Sequence, residues 1–340
     1  MSNNIPVREI FYQREEQYLS KYAFLCRNTR GRDIPIKECD NRTEFQRDRD
    51  RIIHCKSFRR LMHKTQVFFF PNDEHYRNRL THTLEVTQIA RIISRALMLN
   101  EDLTEAAGLG HDLGHTPFGH TGEAVMQECY SPDFTHYKQS LRVVEKLEND
   151  GKGLNLTWEV RDAIVNHSGK NLASTLEGVI IKYADRIAYI NHDIDDSIRA
   201  GVIKNDDIPK EISDVLGTTH SGRINTMVSS LIEASTNSPE ISMTPEVGAA
   251  MENLREFLFE NVYHNPKAKT GEDKAKDLLK YLFDYFMKYP EKMPELYYNN
   301  TKYESTERCV CDYICGMTDR YAIDIYKELF IPSAWIGPIL

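Results

Sequence analysis

Apolar positions recur at intervals of three and four residues through most of the chain, and the alternation expected of strands is nearly absent. The clearest stripe runs through residues 81–99, where Val86, Ile89, Ile93 and Leu97 share one face and predict a helix. Residues 101–109 predict a second, shorter helix, with Gly108 and Gly110 allowing close packing near its end. Pro117, with Gly114 and Gly119 on either side, breaks the following turns into a loop. Ser174 with Glu177 three positions on resembles a capping box, opening a long helix that runs to about Ala200. Thr270 and Asp273 mark another start ahead of the run LLKYLFDYFMKY, and a last helix is predicted over 304–330, ending before Pro332. The stretches 201–222 and 233–247 are richer in Gly, Ser, Thr and Pro and read as connectors. The predicted class is all-α.

At 340 residues the chain exceeds the size at which one hydrophobic core usually stops growing, which implies one lobed unit or a core with a helical extension. Three parts suggest themselves: an N-terminal basic arm (1–52), a histidine-rich core (53–200) and a C-terminal helical region (201–340). Hydrophobic residues at 41% and charged residues at 28% are ordinary for a globular protein and exclude long disorder. No apolar run approaches the roughly 18 residues that span a bilayer, the densest being 67–70. The opening MSNNIPVREIFYQREE has no apolar signal-peptide core, so a cytoplasmic protein with no membrane partner is expected. Seven cysteines in no paired framework agree with a reducing compartment, and Cys309, Cys311 and Cys315 read as helix packing rather than a zinc site. The net charge of −8 repels polyanions as a whole. Between Arg42 and Lys64, however, eight Lys or Arg face three Asp or Glu, a surplus of five that could collect an anionic ligand or form a solvated helix face.

What changes the picture is histidine. Five of twelve fall between residues 82 and 136, and HDLGHTPFGHTGE packs three of them with Asp112 and Glu123 into backbone bent by Gly and Pro. Neutral imidazole together with carboxylate is the usual ligand set for Zn, Mn, Fe or Co. His120 and Glu123, three apart where a helix restarts, can meet on one face, so the carboxylate could fix the imidazole tautomer. Downstream, Asp185, Tyr189, Asp193 and Asp196 recur at helical spacing among Ile187, Ile190, Ile194 and Ile198. Like charges on a packed helix need a cation or a basic partner. His54, His63 and His167 read as structural, and the missing HExxH glutamate argues against a zincin.

The order His82, His111–Asp112, Asp185 resembles the H…HD…D signature of the HD phosphohydrolases. With FRRLMHKTQVF (58–68), NRLTHTLEV (78–86), HDLGHTPFGH (111–120), ADRIAYINHDIDD (184–196) and CDYICGMTDRYA (311–322), the chain is similar to the deoxyguanosine triphosphate triphosphohydrolases and their dNTP-hydrolysing relatives over roughly 40–330. The resemblance implies an HD helical core with additional N- and C-terminal helices. It implies one divalent ion, with Mg, Mn, Co, Fe and Zn all open, on His82, His111, Asp112 and Asp185. His115, His120 and His136 would surround the α-phosphate, with Glu123 beside His120, and Arg79 and Arg186 would contact phosphates. Gln66 and Asp193 would read the sugar 3′-hydroxyl, Tyr189 would pack on the sugar, and Tyr321 would sit near sugar or base. The implied reaction turns a deoxynucleoside triphosphate (dGTP or several dNTPs) into deoxynucleoside and triphosphate, in a homo-oligomer. The rivals are another HD activity (nucleoside monophosphatase or phosphodiesterase) and a protein keeping the fold to bind single-stranded nucleic acid or a nucleotide effector.

Overall fold

The computed structural model describes residues 5–66, 75–263, 265 and 271–332, and the described residues form helices with no named strand. The longer helices are α1 (Val7–Tyr18), α2 (Glu44–His54), α3 (Arg79–Ala96), α4 (Glu101–Gly110), α5 (Gly119–Cys129), α6 (His136–Arg142), α7 (Trp158–Asn166), α8 (Leu176–Arg199), α9 (His220–Ser235), α10 (Pro245–Leu258), α11 (Glu272–Lys288), α12 (Thr306–Cys315) and α13 (Asp319–Phe330). The all-α expectation holds, and among the described residues no helix is long and apolar enough to cross a membrane. The apolar run 67–70 and Thr270 lie outside the described residues.

The predicted stripe on α3 is buried at all four positions. The helix starts two residues earlier than its apolar pattern, because Asn78 accepts from the Thr81 N–H while the Thr81 hydroxyl returns to the Asn78 N–H. That extension brings Arg79 into the helix. At α8 the cap is Thr175, which accepts from Gly178, and not Ser174, whose N–H and hydroxyl both go to Asp162. Glu177 is buried instead of capping, and takes the N–H groups of Phe24 and Asn100 at 2.9 Å each. The connector expected over 201–222 holds a short helix, Lys210–Leu216, and the start of α9. The single helix expected over 304–330 is two, because Thr318 caps a new helix after Gly316.

Three apolar clusters hold the molecule together. α3 and α8 cross at its centre and share one cluster with α9 and α10. α2, α4 and α7 enclose a second cluster with Leu113, and α5, α11, α12 and α13 form the third, which includes Phe118 and the three clustered cysteines. All eight cations between Arg42 and Lys64 have protein acceptors. Arg42 pairs with Asp50 at 2.7 Å, Arg47 with Glu44 at 2.7 Å, Arg49 with Glu105 at 3.2 Å and Lys56 with Asp150 at 3.0 Å, and Arg60 reaches the Ser57 hydroxyl at 2.6 Å. Arg51 donates to the Leu154 and Asn155 carbonyls, Arg59 to that of His54, and Lys64 to those of His115 and Cys315. Each of these cations therefore already has an acceptor within the protein, although Arg42, Lys56 and Arg59 stay exposed.

The loop between α4 and α5 is clamped from two sides. Buried Lys64 holds the His115 carbonyl, and the buried Asp319 carboxylate accepts from the Thr65 N–H, the Thr65 hydroxyl and the Phe118 N–H at 2.7–2.9 Å. Phe118 has φ +60, a left-handed conformation that is rare for a bulky residue and is held here by these contacts. Gly114 is needed for close approach: a Cβ there would sit 2.1 Å from the Ser140 nitrogen and 2.3 Å from the Gln139 carbonyl carbon. Gly114→Ala should therefore destabilise the protein by about 1–3 kcal/mol, as overpacking against backbone does. Denaturant unfolding should show a lower midpoint with unchanged slope, and an unchanged midpoint would refute the clamped-loop account.

Candidate metal and phosphate site

α3 carries Arg79 and His82 inward, the end of α4 delivers His111 and Asp112, and α8 adds Asp185. His111 Nδ1 lies 2.7 Å from the Gly108 carbonyl, which places the proton on Nδ1 and leaves a lone pair on Nε2. That Nε2 is buried with no partner, as is His82 Nδ1. His82 Nε2 is 3.1 Å from Asp185 Oδ1 and 3.9 Å from Asp112 Oδ2, and His111 Nε2 is 3.7 Å from Asp112 Oδ1 and 3.9 Å from Asp185 Oδ1. Ligand atoms of His82, His111 and Asp112 fall within 4.8 Å of one another. Two imidazoles and two carboxylates, with a buried lone pair lacking any donor, fit a divalent ion. Burial alone would raise Asp112, but the His111 and His115 rings and the Arg79 guanidinium (2.9 Å away) hold it well below the usual carboxylate range. Asp185 is likewise held down against burial by His82 and His111.

A second group adjoins the first. The His115 and His136 rings stack at 4.5 Å and 15°, and His115 Nε2 is 4.0 Å from Asp112 Oδ1. Glu123 lies between two histidines. The spacing does bring His120 to it, at 3.6 Å, but His120 is 80% exposed. His136 Nδ1 is closer, at 3.1 and 3.2 Å from the two carboxylate oxygens, and the His136 N–H also donates to Glu123 at 2.9 Å.

These residues open onto a cavity of about 470 Å³. Tyr189 and Asp193, from the same face of α8, and Gln66 also line it. Tyr263 donates its hydroxyl to Asp193 Oδ2, while Asp193 Oδ1 and Gln66 Oε1 are buried without a partner. Asp196, on the same stripe, pairs with Arg77 at 3.1 Å. Burial pushes Asp193 up to about 7.

Arg186 and Tyr321 do not line the cavity. Arg186 pairs with Glu252 at 2.7 Å, and the Tyr321 hydroxyl bonds Tyr313 at 3.1 Å among the C-terminal helices. Arg255, Phe259, Tyr263 and Glu272 do line it, and sequence reasoning missed them. Their signal was available for three: Arg255, Phe259 and Tyr263 recur every four residues, a helical stripe. Glu252 bridges Arg186 and Arg255, the latter at 2.8 Å. His167 does not line the cavity but adjoins the candidate ligand group. Read as structural, it is buried against His111 and His136, and burial with those neighbours pushes it down to about 3, whereas His54 and His63 are exposed.

The Glu123–His136 pair sets a pH dependence. Burial lowers the His136 imidazole, but its bond and charge contact with Glu123 win and raise it above 6.5, while Glu123 is held far below 4.5. The His136 contribution to stability is full below 6.5 and fades as pH rises through its raised value; that of Glu123 is present above 4.5 and fades as pH falls through its depressed value. NMR titration of the metal-free protein should place His136 above 6.5, and Glu123→Gln should lower it by about one unit. An unchanged midpoint in the variant would separate the two residues.

Residues 79–190 match the HD domain model, and residues 241–328 match that of a phosphohydrolase-associated domain. A deoxyguanosinetriphosphate triphosphohydrolase-like protein of Caldanaerobacter subterraneus subsp. tengcongensis is 57% identical, with 97% of this chain and 98% of the relative covered. Proteins of the same description from Desulfatibacillum aliphaticivorans (46% identical; 98% and 100% covered) and Clostridium tetani (48%; 90% and 91%) are also similar. Among solved structures, a hypothetical protein from Aquifex aeolicus shares 20% identity at a TM-score of 0.48, covering 84% of this chain and 68% of its own, a likeness too distant to carry an argument.

Proposed function

The chain belongs to the deoxyguanosinetriphosphate triphosphohydrolase-like proteins, HD-domain hydrolases, and from that premise we propose that it cleaves deoxynucleoside triphosphates to deoxynucleoside and inorganic triphosphate. One observation carries the reading. A single cavity is lined both by His82, Asp112 and Asp185, with His111 buried beside them, and by Gln66 and Asp193, whose Oε1 and Oδ1 are unpartnered acceptors. The first group suits a phosphate held through a divalent ion, and the second lacks the hydrogen-bond donor that a sugar hydroxyl would bring.

His82, His111, Asp112 and Asp185 would hold the ion, which when bound neutralises phosphate charge and polarises the P–O bonds. Arg79 lies against Asp112 and reaches the cavity, where its remaining N–H groups bind phosphate oxygens. Arg255, with Arg186 behind Glu252, receives the outer phosphates. His136, kept protonated by Glu123, donates from Nε2 to the α-phosphate and so stabilises charge that develops there. His115, its proton affinity depressed by burial and by Arg79, stays neutral beside it. His120, exposed where it lines the cavity, shuttles the proton. Water oxygen bonds to the α-phosphorus, the bond to the sugar 5′-oxygen breaks, and that oxygen leaves with a proton. Tyr189 packs on the sugar, and Gln66 and Asp193 bind its 3′-hydroxyl.

Assayed on a panel of dNTPs with Mg, Mn or Co in ¹⁸O-water, the protein should release labelled triphosphate and unlabelled deoxynucleoside. A dNMP as the main product would overturn this regiochemistry. Asp185→Ala should lose both bound metal and at least about 10²-fold in turnover, since an ion-assisted step loses its ion. Retention of stoichiometric metal would remove Asp185 from the ligand set. Dideoxynucleotides should react roughly 10- to 150-fold more slowly, matching the about 1.5–3 kcal/mol of a hydrogen bond to a charged group. Equal rates for deoxy and dideoxy substrates would show that Gln66 and Asp193 do not read the sugar.

A further inference from the structure

His167 stands on its helix as His111 stands on its own. Each is the C-terminal cap residue, of α7 and α4 respectively, and each turns Nδ1 onto the carbonyl three residues back at 2.7 Å: Ile164 for His167, Gly108 for His111. With Nδ1 committed as the donor, Nε2 carries a lone pair. Both Nε2 atoms are buried and have no partner, and no described carboxylate pairs with His167. The His167 ring lies 5.0 Å from that of His111 at 77° and 5.4 Å from that of His136 at 52°. It thus sits where the proposed ligand group meets the Glu123–His136 pair.

The ring is held in place. Lys182 donates to the Gly169 and Asn171 carbonyls at 2.7 and 2.9 Å, pinning the following turn to α8. Gly169, at φ +77, leaves room for the Tyr137 hydroxyl, which a Cβ would approach to 3.0 Å, and Tyr137 sets its edge against the His167 ring at 6.3 Å. A buried acceptor left without a donor costs about 1–3 kcal/mol, and a helix cap, a pinned turn and a packed tyrosine together hold this one in that state. Such an arrangement calls for an occupant that donates.

We infer that His167 is a positioning residue of the metal centre, its Nε2 accepting a hydrogen bond from a water molecule that the ion carries on the side between His111 and His136. The inference rests on the ion-binding reading of His82, His111, Asp112 and Asp185. Groups that orient an ion's ligands from behind typically contribute about 10- to 100-fold in metal affinity.

The test is Mn²⁺ binding by calorimetry, with unfolding midpoints in chelator and in Mn²⁺, for the full chain and two variants. His167→Phe keeps a ring of similar shape and removes the acceptor, and His167→Gln keeps an acceptor of similar reach. His167→Phe should bind Mn²⁺ about 10- to 100-fold more weakly while its midpoint in chelator changes little, because removal of the unsatisfied Nε2 offsets loss of the Nδ1–H bond to the Ile164 carbonyl. His167→Gln should recover part of the affinity. Affinity within twofold of the wild type in His167→Phe would overturn the inference and leave an ordinary buried water at Nε2. Should that variant fail to fold, water-proton relaxation of the Mn²⁺-loaded wild type and His167→Gln decides: faster exchange of the ion's slow water in the variant supports the role, and identical exchange overturns it. A wild type that takes up no Mn²⁺ would overturn the ion-binding reading as well, and that is seen before any variant is made.

Discussion

A carboxylate taken out of water stays ionised only if positive charge or hydrogen-bond donors replace the water, and Asp112 is where that requirement organises this protein. It is almost fully buried, with Arg79 at 2.9 Å and His82, His111 and His115 within 3.7–4.0 Å. None of these comes from a distant accessory element. α3 supplies Arg79 and His82, and the end of α4 with the loop beyond it supplies the rest. The close contacts among α3, α4 and α8 place those groups, so the central packing and the charge balance of the site are one arrangement.

The loop 111–118 could not hold this geometry alone, since it has few backbone partners of its own. Lys64 and Asp319 take over its polar groups from residues far away in sequence, one donating to a carbonyl and the other accepting an N–H. This explains why the C-terminal helices break at residues 316–318. An unbroken helix could not bring Asp319 to both Thr65 and Phe118. The apolar cluster shared by Phe118, α11, α12 and α13 then buries the clamp and keeps water from competing for it.

Much of this was legible in the sequence. Period-3.6 patterning marked α3, α4 and α8, the family resemblance named the four candidate ligands that the fold brings close together, and helical spacing named Asp185, Tyr189 and Asp193, which line the same cavity. What was hidden depends on distance along the chain. The engagement of Arg49, Arg51, Lys56 and Lys64 could not be read, because Glu105, the Leu154 carbonyl, Asp150 and the His115 carbonyl lie 56, 103, 94 and 51 positions away. For the same reason Glu123 looked like the partner of His120, three residues on, when His136, thirteen on, is closer. His167 looked structural because a lone histidine carries no signal until its neighbours in space are known. Ser174 failed as a cap because Asp162 competes for it.

The carboxyls of the cavity are set apart by their surroundings more than by their burial. Asp112 and Asp193 are buried and Asp185 is largely so, yet Asp112 and Asp185 lie far below the usual range while Asp193 rises to about 7. The difference is the company each keeps: imidazoles and a guanidinium for Asp112, imidazoles for Asp185, and for Asp193 chiefly the Tyr263 hydroxyl. A phenol donates a hydrogen bond but brings no charge, so it only partly offsets desolvation. Of these three aspartates, the two held ionised are the two that lie against the imidazoles, where a cation can compensate for their charge. The Asp193 carboxyl is poised to accept or to donate, which suits a neutral hydroxyl better than a cation. Separating like groups by environment lets one small cavity hold a charged and an uncharged part of the same ligand in a fixed order.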